Sequence, residues 1–99
     1  MQLINLVFEG DYSDADILAV PDEILDKLEE YLQDFYDWLP KHLNEHSFWA
    51  KTKSGDLYYR IGTDEILWWI NQKVLNGKQA AFVVQAHCHA DPNLITIET

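Results

Sequence analysis

Residues 21–39, PDEILDKLEEYLQDFYDWL, decide how the chain is read. At 100° per residue, Ile24, Leu25, Leu28, Tyr31, Leu32, Phe35 and Leu39 fall within about 60° of Leu28, while Glu23, Asp26, Glu30 and Asp37 cluster within about 40° of the opposite pole. Pro21 followed by Asp22 and Glu23 is a helix-start signature, because proline is tolerated where an N–H has no partner and acids complement the free donors. Pro40 disfavours helical geometry at Leu39. The segment therefore predicts one amphipathic helix over 22–39, with an apolar face for a core and a stripe of carboxylates roughly 22 Å long.

Outward from this helix, the opening LINLVF predicts a core strand ending at the Glu9-Gly10 turn. Asp11 to Val20 (DYSDADILAV) reads as a surface loop whose apolar end docks before the helix begins. Phe48 to Lys51 and Leu57 to Ile61, joined by a connector containing Gly55, predict a hairpin. Thr63 is placed to cap a second helix, about Asp64 to Asn76, with acids in its first turn and Asn76-Gly77 as its stop. Its inner face is Ile66, Leu67, Ile70 and Val74, which leaves Trp68 and Leu75 roughly 140° to 160° from Ile70 and predicts an outward apolar pair. AAFVVQAH alternates as a strand, and LITIE after the Asp91-Pro92-Asn93 turn is expected as its antiparallel neighbour. The order predicts an α+β fold, two helices packed on a small antiparallel or mixed β-sheet, with residues 1–99 forming a single domain.

Charge is the second signal. The chain has 17 acidic and seven basic residues, a net charge of −10. Glu9, Asp11, Asp14, Asp16, Asp22, Glu23, Asp26, Glu29, Glu30, Asp34 and Asp37 stand against Lys27 alone, so the segment 9–37 carries the whole imbalance and the rest of the chain is neutral. Such concentration opposes folding by self-repulsion and points to a partner with a basic face. It argues against direct contact with nucleic acid or anionic lipid. The start of the chain has neither a basic region nor a long apolar run, and the lone Cys88 allows no internal disulfide; a cytoplasmic protein without a membrane span is expected. Carboxylates of Asp26, Glu30 and Asp37, helped by Asp11, Asp14 and Asp16, are the candidate partner-binding residues. Trp68 and Leu75 are the candidate apolar interface, with a homodimer as one use for it.

The remaining motifs carry less chemistry. DYSDAD has three carboxylates in six residues, but their irregular spacing and the lack of a central glycine do not fit a calcium loop. His87-Cys88-His89-Ala90-Asp91 resembles the H-x-H-x-D core of the metallo-β-lactamase fold family over five residues. Pro92 stands where that family continues with histidine, and its fold needs about twice this length, so no kinship or zinc chemistry is carried over. A zinc site built from His87 and His89 with His42 or His46 lacks a closed ligand set. Cys88 reads as a small buried hydrophobe. No nucleophile elbow, phosphate-binding loop or CxxC pair is present; no catalysis, cofactor or metal is expected.

In size, placement of acid and aromatic content, the chain resembles the immunity proteins of bacterial contact-dependent growth inhibition and polymorphic toxin systems. That resemblance implies a small protein inhibitor that neutralises a basic toxin domain, frequently a nuclease, and it supplies no motif or binding residue. The alternatives are a phage-type antagonist of a nucleic-acid-binding host protein using the same acidic stripe, a homodimeric interaction module, and a small metal-binding protein.

Overall fold

The fold is seen in a computed structural model whose described residues are 1–42, 49–59 and 61–99. It is α+β. Strands β1 (Gln2–Val7), β2 (Ala15–Val20), β5 (Phe82–Cys88) and β6 (Ile95–Glu98) form a mixed sheet in the order β5-β2-β1-β6, and β3 (Trp49–Lys51) and β4 (Leu57–Tyr59) form a separate antiparallel hairpin. Helices α1 (Asp22–Leu25) and α2 (Leu28–Trp38) follow β2, and α3 (Thr63–Trp69) follows the hairpin.

Side chains alternate across the strands and sort into two faces. Ile4 and Leu6 of β1, Leu18 and Val20 of β2 and Ile97 of β6 join Ile24, Leu28, Leu32, Phe35, Ile66 and Ile70 of the helical segments in one buried cluster. Phe35 is its hub, fully buried, with the Trp69 ring tilted against it at 5.7 Å. The opposite face carries Leu3 and Asn5 of β1, in register with Ala19 and Ile17 of β2 and through them with Phe82 and Gln85 of β5.

Three expectations are corrected. Residues 15–20 are a central strand, not a docked loop: the ILAV run pairs with β1 on one side and β5 on the other. β6 does not return beside β5. It runs parallel to β1 at the far edge, with Ile4 opposite Ile95 and Leu6 opposite Ile97. The route is set by Asn5, fully buried in β1, whose Nδ2 donates to the Asp91 carbonyl (2.8 Å) and to Thr96 Oγ1 (3.1 Å) while its Oδ1 accepts from the Asp91 N–H (2.9 Å). The amide holds the crossing segment as a neighbouring strand would.

The third concerns Leu75. Beyond α3 the chain continues as a π-helical segment, Ile70–Val74, closed by a bond from the Leu75 N–H to the Ile70 carbonyl at 2.9 Å. A turn of this width advances roughly 80° per residue, which brings Leu75 to roughly 40° from Ile70 and not 140°. Leu75 is accordingly 7% exposed and part of the core. Trp68 is half-buried against that core, its ring tilted on Trp38 at 6.3 Å. The expected outward pair does not form.

Two further differences are local. The 22–39 helix is divided at Asp26–Lys27, where the Lys27 N–H bonds the Ile24 carbonyl in a tighter turn, and both flanking residues Ile24 and Leu28 remain buried. Thr63 is the first residue of α3 and not its cap. Gly62 holds the cap position, its N–H donating to Glu65 Oε2 at 3.0 Å, and the Thr63 hydroxyl donates instead to Asp16 of β2. The Asn76-Gly77 stop is as expected, both residues having positive φ. The β3–β4 pairing is also present, although Phe48 and Arg60 lie outside the described residues.

Leu75→Ala is expected to cost about 2–5 kcal/mol, as for a core leucine, where an outward leucine would cost almost nothing. Asn71→Ala, which strips the buried Ala81 N–H and carbonyl of their partners (both 3.0 Å), should cost about 1–3 kcal/mol. Urea unfolding of each variant against the parent checks both values.

Candidate functional site

The helical carboxylates stand in solvent as the 21–39 pattern requires. Asp26 closes α1, Glu29 and Glu30 lie in the first turn of α2, and Asp37 in its last turn accepts from Gln33 Nε2 at 3.3 Å. Glu29 and Glu30 complement the unsatisfied N–H groups of the α2 start. Asp26, Glu29 and Glu30 border a cleft of about 400 Å³ whose other walls are Leu25, Ile95 and Ile97. Ile95 is 53% exposed, a large apolar side chain at the edge strand β6 with carboxylates beside it. Around the same edge, a second depression is lined by Glu29, Gln33, Tyr12 and Glu98, and the Tyr12 hydroxyl donates to the Glu98 carboxylate. That bond, with the nearby negative charge, raises the Tyr12 pKa above its ordinary 10.0.

The loop carboxylates behave differently. Asp11 Oδ1 accepts from the Ser13 N–H (3.1 Å) and hydroxyl (2.5 Å), an Asx-turn arrangement that shapes the β1–β2 connection. Asp14 Oδ1 lies 2.9 Å from His87 Nδ1. Asp16 accepts from the His87 N–H at 2.9 Å and from the Thr63 hydroxyl, so one carboxylate ties β2 to the end of β5 and the start of α3. The three acids of DYSDAD thus have three different sets of protein donors and do not converge on a cation. Asp14 and Asp16, with Asp64, Glu65 and His87, line a cleft of about 500 Å³ floored by Phe8, Val83 and Ala86. This cleft adjoins β5, whereas Asp26 and Glu30 adjoin β6 at the other edge of the sheet. Of the six carboxylates singled out in the sequence, Asp14 and Asp16 line one cleft and Asp26 and Glu30 the other, while Asp11 in the β1–β2 connection and Asp37 in the last turn of α2 line neither.

The histidine motif is also divided. Register shifts in the β2–β5 pairing interrupt the alternation of β5, and His87 takes a positive φ of 52°. His87 turns to Asp14, Cys88 donates weakly to the Ala15 carbonyl at 3.4 Å, and His89 lies past the strand end. His42 stacks on Trp38 at 4.2 Å, with Lys73 Nζ 5.6 Å from the same ring, and His46 lies outside the described residues. Among the described residues no three His, Cys, Asp or Glu side chains form a metal-holding group. Nor, among them, is any helix long and apolar enough to cross a membrane.

Glu29 and Ile95 are the site residues that sequence reasoning missed. Glu29 sits off the acidic pole of an ideal wheel, though its adjacency to Glu30 was a signal. Ile95 had none, because its position beside α2 depends on where β6 joins the sheet.

The hydrogen bond to Asp14, then the charges of Asp14 and Asp16, raise the His87 pKa above its ordinary 6.5. A raised folded-state value means the His87–Asp14 pair stabilises the fold at pH below about 6.5 and that this contribution fades as pH rises through the folded value. Proton NMR titration should place His87 above 6.5 and Asp14→Asn should lower it; equal values in both proteins would contradict the pairing. Comparison of the chain with protein-family models, with curated proteins and with solved structures returned no match.

Proposed function

We propose that the chain is an acidic protein inhibitor that acts by binding, without catalysis, in the cytoplasm. Its target is the basic face of a toxin domain, a nuclease in the leading form of this reading, as expected of an immunity protein of a contact-dependent growth inhibition or polymorphic toxin system. The observation that carries it is the joining of Asp26, Glu29 and Glu30 to the exposed Ile95 in one cleft. Charge at an interface rim sets encounter rate and orientation more than affinity, which comes from desolvated apolar anchors at the centre. The α2–β6 edge offers both within one side chain's reach.

In this reading the carboxylates pair with lysine and arginine groups that otherwise hold phosphate, and Ile95 enters an apolar recess between them. Asp37, on the same helix near its other end, extends the field along the target. Asp11, Asp14 and Asp16 contribute potential at a distance, since their oxygens already have protein donors. A phage-type antagonist of a host nucleic-acid-binding protein would use the same surface in the same way.

The test is capture from the lysate of the native host at low salt, with the parent protein, the triple amide variant Asp26→Asn, Glu29→Gln, Glu30→Gln, and Ile95→Ser. One basic partner should be retained by the parent and lost by the amides. Its association rate should fall severalfold with each amide at low salt and much less at high salt, while Ile95→Ser should speed dissociation about tenfold or more. Equal retention by the triple variant would overturn the reading.

A further inference from the structure

We propose that the sheet face turned away from the helices is an interface between two copies of this chain. Leu3, Ala19 and Phe82 are in register across β1, β2 and β5 on that face, and Asn5, Ile17 and Gln85 form the next row. Past that row, the segment after β5 covers the sheet, through Asp91 bonded to Asn5 and the Ala90 N–H bonded to the Tyr12 carbonyl, and Asn5, Val7 and Ala15 beneath it are 0% exposed. The other end is uncovered. Leu3 is 44% exposed and Phe82 49%, and Val84, in the bulged part of β5, is 52% exposed.

Charge decides the occupant. In a chain of net charge −10, the residues that the described register places on this face include one carboxylate, Glu98, and that one accepts the Tyr12 hydroxyl. Residues 79–90, QAAFVVQAHCHA, contain no acid, lysine or arginine. Near Leu3, Asp22 is already paired with the Met1 amino group at 3.1 Å, which leaves that end of the face close to neutral and gives a basic partner little hold. Two copies repel each other wherever their acidic helices approach, so a neutral apolar face is the one on which they meet at least electrostatic cost. A two-fold axis through this face places Leu3 and Phe82 of each copy on the other and keeps both sets of α1–α2 carboxylates on the outside. Leu3, Phe82 and Val84 are few exposed apolar groups beside the roughly 20–30 residues a side of a standard interface, so the dimer is weak, with Kd on the order of 10–100 µM.

This inference does not rest on the inhibitor reading, and salt separates the two: the basic partner is released by salt, whereas the dimer is strengthened by it. Sedimentation equilibrium of the full chain, from about 5 to 500 µM at low and high salt, should show monomer passing to dimer with tighter association at high salt. Leu3→Lys and Phe82→Lys should each raise Kd about tenfold or more, and Tyr58→Lys, an equally exposed aromatic on β4, should leave it unchanged. If the lysine variants fail to fold, isotope-filtered NOEs between labelled and unlabelled parent chains provide the second measurement, with contacts expected between Leu3 and Phe82 of different copies. A monomer throughout, a dimer indifferent to both lysines or weakened by salt, or intermolecular contacts located elsewhere would overturn the proposal.

Discussion

The structure depends on how the chain enters and leaves β5, and in both places the control is a buried asparagine amide. Asn71, in the π-helical segment, exchanges two hydrogen bonds with the backbone of Ala81 just before the strand. Asn5, in the middle of β1, exchanges two with Asp91 just after it. Each amide matches the donor and acceptor of a peptide unit, so it stands in for a strand neighbour where none exists. The Asn71 bonds are fully buried and the Asn5 side chain itself is fully buried, so these bonds are costly to lose. They set the direction of the crossing that delivers β6 to the far side of β1, and through it the position of Ile97 in the core and of Ile95 at its rim.

That crossing links the fold to its surface chemistry. Among the described residues, helical side chains join one face of the sheet, and charge is segregated accordingly: the α1–α2 carboxylates stand in solvent beside that face, while the strand register places one carboxylate, Glu98, on the opposite face. The β1–β2 loop acids belong to neither. They are tied to Ser13, His87 and Thr63, which hold the loop, the end of β5 and the start of α3 together. A charge count treats all these acids alike, yet Asp26, Glu29 and Glu30 border an open cleft, whereas Asp11, Asp14 and Asp16 already accept from Ser13, His87 and Thr63.

Much of this was legible in the sequence where the signal was local. Period fixed the apolar faces of 21–39 and of the second helix, and turn residues marked the ends at Gly10, Asn76-Gly77 and Asp91-Pro92-Asn93. What escaped depended on distant partners. Asp14 and Asp16 made the start of β2 look like a loop, because the donors that satisfy Asp16 are 47 and 71 residues away. Thr63 had the right chemistry for a cap and found a more distant acceptor. No residue in 70–74 announces a π turn, and that one widening moved Leu75 from the expected surface into the core. For the site, the carboxylates of α2 were visible from periodicity, whereas their apolar companion Ile95 was not, since strand order is a property of the whole chain.

The parallel pairing of β1 with β6 has a consequence for biogenesis. Asn5 meets Thr96 across 91 residues, so β1 is translated well before the strand that completes its pairing. During that interval β1 has β2 on one side and an open backbone edge on the other, with Asn5 still unpaired at its centre. Nascent chains in this condition are the species that aggregate or recruit chaperones. The repulsion concentrated in residues 9–37, emerging directly behind β1, then acts as a solubilising escort until the sheet closes.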